Sequence, residues 1–517
     1  MLVHTPTKSL LLKVADPFVI RDLLTKSRVV EHSDYNIVVK HTLESTKVLR
    51  NLGMDVPAPI LSQYNWPGKY KPFAHQRVMS EFLTIHRRAF NLSEPGIGKT
   101  ASALWAADWL MQAGRVRKVL ILSPLSTLDT VWKQDIFDVL MHRSAMIVHG
   151  SRDQRHEALA KNVDFYILNH DGVKIDVITE ALRRREDIDL IIVDEASMFR
   201  NASSQRYKKF LKMLRDDQRV WMITGTPCPN APTDAWALAR VVNPSNVPKF
   251  FGSFKRMTMM QVSQFKWVPR TDAYTIAYQA MQPAVRFKKS DCLDLPPVVT
   301  ENRQAQLSKD QRRMFETMKN MMISEASKIQ ITAVNAADKI NKLRQILCGA
   351  VKDPKTDEYI TIDHAPRTAV LMEAIEQARA KVIVIVPFKG IIRALAQEVS
   401  KSHSVAILNG DVAPKARDKI IRDFKTQPDP HVLLCHPKVM AHGLNLTEAD
   451  TIIFYAPIYS VDEFQQVIER FNRTGQKNSM TIVRIAAHPL EWEIYKLIDT
   501  RTITQDNILN LYKSVTQ

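Results

Sequence analysis

Cysteine is scarce in this 517-residue chain, and the four present, Cys228, Cys292, Cys348 and Cys435, form no C-x-x-C pair. That spacing argues against both a zinc site and a disulfide framework, and it fits a reducing compartment. Long apolar runs are missing as well: no stretch reaches the roughly 18 apolar residues that a membrane helix needs. The opening "MLVHTPTKSLLLKVADPF" is interrupted by Lys13 and Asp16, so it reads neither as a signal peptide nor as a span. The expected location is cytoplasmic, in a bacterium or a phage-infected cell, or nuclear in a eukaryote. Glycine is limited to 14 residues, and no internal repeat or low-complexity tract stands out. Acidic residues are outnumbered, 54 Asp and Glu against 72 Lys and Arg, which leaves a net charge of +18. The excess is spread along the chain without a polybasic tail or basic amphipathic anchor. Such a distribution favours a folded protein with a basic groove for nucleic acid over a membrane-surface protein.

What the chain does have is rhythm. From about residue 90, short β-branched runs alternate with helix-length segments: "KVLILSP" (118–124), "DFYILN" (164–169), "DLIIVDE" (189–195) and "VWMITGTP" (220–227). The rhythm restarts with "KVIVIVP" (381–387), "SVAILNG" (404–410), "HVLLC" (431–435), "DTIIFY" (450–455) and "MTIVRI" (480–485). Near-continuous apolar runs of this length are the pattern of buried parallel strands, and two blocks imply two α/β domains. Between them, residues 307–347 are helical in period, with Ser308 and Gln311 placed as a capping box, and "DLPPVV" (294–299) reads as an extended connector. Residues 1–70 lack the alternation and read as a small accessory domain, in which Leu43, Val48, Leu49 and Leu52 would make a core helix.

Three segments carry chemistry. In "SEPGIGKT" (93–100), Gly96 and Gly98 allow a tight turn whose N–H groups can surround a phosphate at a helix N-terminus. Lys99 would reach the β/γ-phosphates and Thr100 would ligate Mg²⁺; against the pattern G-x-x-x-x-G-K-S/T, Ser93 replaces the first glycine. "LIIVDEAS" puts Asp194 and Glu195 at the C-terminal end of a strand, where α/β sheets bind ligands. Asp194 would hold Mg²⁺ and Glu195 would polarise the attacking water. In "RFNRTGQ" (470–476), Arg470 and Arg473 are three apart and would share a helical face. Paired guanidiniums suit a γ-phosphate across an interdomain cleft.

Together these segments resemble the Swi/Snf-like branch of the superfamily-two helicase ATPases, in matching order over residues 70–490. "KPFAHQ" (71–76) is similar to the family's adenine-reading element, with Gln76 as its glutamine; "LILSPLSTLDTVW" (120–132) to the first strand-contacting motif; "VDEAS" to the DEAD/DEGH box; and "TGTPCPN" (224–230) to the coupling motif. "FKKSDCLDLPP" (287–297), "KLRQILCGAV" (342–351), "AHGLNLTEADTIIFY" (441–455) and "QVIERFNRTGQ" (466–476) resemble markers of that branch. "DEAS" departs from "DEGH", so the histidine linking nucleotide state to the DNA-contacting motif is missing, with Ser197 as its candidate substitute. "HTLESTKVLRNLGMDVPAPI" (41–60) resembles segments upstream of the motor in annealing-helicase, fork-remodelling members; compact phage and bacterial relatives have a similar build.

The resemblance implies two tandem RecA-like parallel-sheet lobes with a cleft between them, helical insertions and a small N-terminal accessory domain. The implied domains are 1–70 (accessory, a candidate DNA-substrate-recognition element), 71–300 (first lobe) and 301–517 (second lobe). ATP with Mg²⁺ is the implied cofactor, held by Gln76, by Ser93, Glu94, Pro95, Gly96, Ile97, Gly98, Lys99 and Thr100, and by Gly443 and Gln466. Lys99, Asp194, Glu195, Arg470 and Arg473 are the implied catalytic set, with Thr224, Gly225 and Thr226 as coupling residues. Family analogy places Pro124, Ser126, Asn169, Arg200 and Asn201, then Phe388, Gly410, Gly443 and Asn445, at the DNA backbone, a sequence-tolerant mode of contact. The implied activity is a DNA-dependent ATPase that moves on duplex, forked or branched DNA, reannealing strands or migrating junctions in replication, recombination and repair. A strand-separating DNA or RNA helicase and a non-catalytic nucleic-acid clamp are the alternatives.

Overall fold

The computed structural model describes residues 1–500 and Leu511, apart from 229–230, 264–266, 293–295, 327–332, 354–355, 357, 441–445, 473–475 and 477. The chain divides into two compact units, Met1–Leu293 and Asp294–Gln517.

The first unit is built on a seven-stranded, all-parallel sheet. Its spatial order is Ala284–Val285, Arg88–Asn91, Arg219–Ile223, Ile188–Val193, Lys118–Ser123, Phe165–Asn169 and Ala145–Val148. All four β-branched runs of the first block are strands of this sheet. The central strands are buried on both faces: Leu120, Leu122, Ile191 and Val193 pack into one core, and Val119, Ile121, Leu190 and Ile192 into the other. Burial on both faces is why these runs read as continuous apolar stretches rather than alternating ones.

A four-stranded antiparallel sheet precedes it, ordered Leu2–His4, Ser9–Leu12, Ile37–Lys40 and Ser27–Val29. Its own core includes Leu10, Leu12, Ile37, Val39 and Leu49. The helix Leu43–Asn51 buries Leu43 and Leu49, but Leu52 lies past its end and is exposed, so the expected core helix stops short of its fourth apolar residue. Tyr64 and Trp66 already belong to the core of the parallel sheet, and the Tyr64 hydroxyl donates to buried Asp108 at 2.6 Å.

The second unit carries a six-stranded, all-parallel sheet, ordered Val298–Gln304, Met480–Ala486, Ala449–Phe454, Lys381–Ile385, Val432–Cys435 and Val405–Leu408. The segment read as a connector thus runs into a seven-residue edge strand. The long helical stretch is two helices, Lys309–Ala326 and Ala333–Cys348. The Ser308–Gln311 capping box is formed: the Gln311 amide donates to Ser308 Oγ, and the Ser308 amide donates to Gln311 Oε1, both at 3.1 Å. No helix among the described residues is long and apolar enough to cross a membrane.

Candidate active site

Three adjacent parallel strands of the first unit deliver the candidate residues to one end of the sheet. Arg88–Asn91 runs into the loop at 93–98, its neighbour Arg219–Ile223 into Thr224–Thr226, and the next strand, Ile188–Val193, into Asp194–Glu195.

The loop's shape follows from its glycines. Gly96 and Gly98 have φ of 81° and 83°, a left-handed backbone that costs other residues roughly 1–2 kcal/mol. Gly98 is also the N-cap of the helix Lys99–Gln112, whose N-terminus carries the partial positive charge that favours an anion. A methyl group on Gly98 would lie 1.9 Å from Gln76 Nε2, so the glycine makes room for the glutamine. Gln76 is fixed from both ends: its Oε1 accepts from the Phe73 amide at 2.9 Å and its Nε2 donates to the Ile97 carbonyl at 3.3 Å. His75 Nε2 reaches the same carbonyl at 2.9 Å. Gln76 and the loop therefore form one packed piece.

Lys99 Nζ donates to the Ser93 carbonyl at 2.7 Å, folding the ammonium back over the loop that Thr100 follows into the helix. Ser93, the departure from glycine, has a structural use. Its buried hydroxyl accepts from the Phe287 amide at 3.1 Å, a bond glycine could not make. Glu94 extends the tie, its amide donating to the Phe287 carbonyl at 3.0 Å and its carboxylate accepting from the Lys289 amide at 2.8 Å. Pro95 meets the next strand's loop: a methyl group on Gly225 would sit 2.7 Å from the Pro95 ring. Thr224 is buried, its amide donating to Asn91 at 3.1 Å, and the Thr226 amide donates back to Thr224 Oγ1 at 3.2 Å.

Asp194 is held by neighbours on both sides. Its Oδ2 accepts from Trp132 Nε1 at 2.9 Å, its Oδ1 accepts from the Glu195 amide at 3.0 Å, and its carbonyl meets His170 Nε2 at 2.8 Å. Glu195 has φ of 47°, a strained conformation for a residue with a side chain. Burial pulls the His170 imidazole down to about 4, against the opposing bond to Asp194, so it stays neutral near pH 7 and Nε2 carries the donated proton. His170 was not singled out from the sequence: only the fold brings it under the acidic pair. Trp132 was read as part of a strand-contacting motif, yet its indole orients Asp194. In place of a "DEGH" histidine, Ser197 sits in the turn Ala196–Phe199 and its carbonyl accepts from the Arg200 amide and guanidinium.

The candidate nucleic-acid residues of this unit lie at ends of the same sheet and beyond. Pro124 starts the turn Leu125–Thr127, which contains Ser126. Asn169 closes the strand next door, its Oδ1 accepting from Arg155 at 3.3 Å. Arg200 and Asn201 line a cavity of about 980 Å³.

In the second unit, Phe388 caps the helix Lys389–Val399, and its ring lies 5.2 Å from the buried Arg344 guanidinium, which also approaches Tyr459 at 5.1 Å. Gly410 faces Lys389, which pairs with Asp411 at 2.7 Å. Gln466 and Arg470 lie on the helix Val461–Phe471, and the Arg470 carbonyl accepts from the Leu446 amide at 3.2 Å. That helix ends at Phe471, and the expected face shared by Arg470 and Arg473 involves a residue outside those described. Gly443, Asn445 and Arg473 fall outside the described residues.

Comparison with known proteins follows this geometry. The SNF2-related domain family matches residues 91–355, 265 of the 517 residues, and the helicase conserved C-terminal domain matches 366–475. A Mycoplasma pneumoniae protein named an uncharacterized ATP-dependent helicase is 26% identical over 442 residues, covering 82% of this chain and 41% of its own length. This chain therefore spans about two fifths of that relative. Protein p41 of Acyrthosiphon pisum secondary endosymbiont phage 1 is 23% identical over 426 residues, covering 79% of this chain and 90% of its own. The Sulfolobus solfataricus SWI2/SNF2 ATPase core in complex with dsDNA is 19% identical, covering 85% of this chain and 93% of its own, with a TM-score of 0.42.

Proposed function

The chain belongs to the SNF2-related family, within the Swi/Snf-like branch of superfamily-two helicase ATPases, and from that premise we propose that it is an ATP-driven motor on duplex or branched DNA. Its work in this reading is reannealing strands or migrating junctions at forks. The observation that carries the proposal is the packing of Gln76 and Gly225 against the 93–98 loop, with the Asp194–Glu195 pair at the end of the next strand of the sheet.

The residues fit a nucleoside triphosphate. Gln76, beside the loop, meets the base, and the left-handed glycines and the helix N-terminus receive the phosphates. Lys99 swings from the Ser93 carbonyl to the β/γ-phosphates. Thr100 and Asp194 would hold Mg²⁺, which when bound would neutralise phosphate charge. Glu195 orients the attacking water, and Trp132 keeps Asp194 in place. The close approach of Gly225 to the Pro95 ring supports a route by which a change in the phosphate loop would reach Thr224–Thr226. Pro124, Ser126, Asn169, Arg200 and Asn201 then meet the DNA backbone, and binding weakens with salt in proportion to the phosphates neutralised, as the chain's net charge of +18 favours.

The test is ATP hydrolysis measured alone and with blunt duplex, forked duplex, single-stranded DNA and single-stranded RNA. Duplex or forked DNA should stimulate turnover most. Equal stimulation by single-stranded RNA would overturn the reading.

A further inference from the structure

The cavity at Arg200 and Asn201 has a second, chemically different end. Lys174, Arg200 and Arg206 line it; Lys174 and Arg206 share the Asp171 carboxylate, each at 2.7 Å, and Arg200 lies 3.8 Å from Asp234, so three cations face two carboxylates and the polar wall keeps a net positive charge that suits phosphates. Its other wall is Trp236 and Phe251, whose rings meet edge to face at 5.7 Å. Trp236 is fastened by its Nε1, which donates to the Pro248 carbonyl at 2.8 Å, and the Arg240 guanidinium lies 5.9 Å from its ring. Phe251 is 45% exposed and its neighbour Phe250 is 70% exposed, with Lys249 Nζ 5.8 Å from the Phe250 ring. Two adjacent exposed phenylalanines at the start of the helix Phe251–Thr258 do not serve the core, where Phe254 alone of that helix's aromatics is buried.

Cations alone would suffice for the backbone of a duplex, whose bases are stacked on one another and present no free faces. Aromatic rings beside cations gain only where bases are unpaired, and stacking of that kind is sequence-tolerant. Resting on the function proposed above, we infer that Phe251, backed by Trp236 and flanked by Phe250, is a stacking shelf for an unpaired base. The adjoining phosphates of that strand run along Arg200, Arg206 and Lys174. The shelf gives the motor a preference for DNA in which a duplex meets a single-stranded arm.

The experiment uses the full chain with a duplex bearing a short single-stranded arm that contains 2-aminopurine, beside the matched blunt duplex. Stacking should quench the arm's fluorescence on binding. Phe250→Ala/Phe251→Ala should abolish the quench and weaken the armed duplex by roughly tenfold while leaving blunt-duplex affinity within twofold. Phe251→Tyr should retain the quench, and an unchanged thermal midpoint in the alanine variant would show that folding is intact. An equal loss on both DNAs, or a quench that persists in the alanine variant, would overturn the shelf. Nucleic-acid readouts unmoved by the substitutions would overturn it in favour of a protein-docking patch. In all three of these outcomes the motor reading survives; failure of the unmutated chain to bind either DNA would remove both.

Discussion

The two parallel sheets of this molecule are wired alike, and among the described residues they differ at the helix start that the proposed function assigns to phosphate. In the first unit the strand Arg88–Asn91 is followed across the sheet by the strands beginning at residues 219, 188, 118, 165 and 145; in the second, Val298–Gln304 is followed by those beginning at 480, 449, 381, 432 and 405. Each first strand then feeds a long helix, Lys99–Gln112 or Lys309–Ala326. The difference lies in how that helix begins. In the first unit it starts from Gly98, which has no side chain to cap the turn and leaves room for Gln76. In the second it starts from Ser308, whose hydroxyl accepts from the Gln311 amide, while buried Gln311 donates onward to the carbonyls of Ile346 and Leu347. The strand–helix junction is common property of the fold. Whether it can receive an anion is decided by a few residues that either satisfy the helix N-terminus internally or do not.

The comparison can be broken at its strongest point by Lys99→Ala. Removing the ammonium should cut DNA-stimulated ATP hydrolysis by about two to three orders of magnitude, the range for losing a transition-state donor, with DNA binding retained in a filter or anisotropy assay. Gly98→Ala should come next. It adds about 1–2 kcal/mol of left-handed strain and displaces Gln76, so nucleotide affinity should fall by about tenfold or more in a titration with a fluorescent nucleotide. Ser308→Ala should behave in the opposite way. Loss of the cap should lower unfolding stability by about 1 kcal/mol in a denaturant melt while nucleotide affinity holds.

The last expected effect is confined to acid pH. His170 is neutral in the folded chain down to about 4, whereas the unfolded chain takes up its proton near 6.5. Folding stability from this residue is therefore intact above 6.5 and declines as pH falls towards 4, because the unfolded state binds the proton first. His170→Gln should flatten the acid limb of stability against pH; an unaltered slope would mean that the imidazole is not held neutral beneath Asp194.

Much of this was legible in the chain because central parallel strands are buried on both faces and write themselves as apolar runs. Edge strands do not. Val298–Gln304 contains Thr300, Glu301, Asn302, Arg303 and Gln304, and all but Arg303 of its residues are exposed, so nothing in its pattern marks a strand. The loop 93–100, the Asp194–Glu195 pair and Gln76 were visible as motifs, since their spacing is local. The contacts that hold them were not, because Phe287, Trp132 and His170 come from distant points in the chain and meet the site only once the sheet is formed. Ser93 shows the same limit: it reads as a defect against a glycine pattern until the Phe287 amide is seen beside it.

One titration addresses the central claim, that nucleotide binding depends on the uncapped glycine start in the first unit and on nothing equivalent in the second. ATP affinity is measured for the full chain, for Gly98→Ala and for Ser308→Ala. The predicted result is a loss of about tenfold or more for Gly98→Ala and none for Ser308→Ala. Equal affinities for all three proteins, or a loss confined to Ser308→Ala, would contradict it.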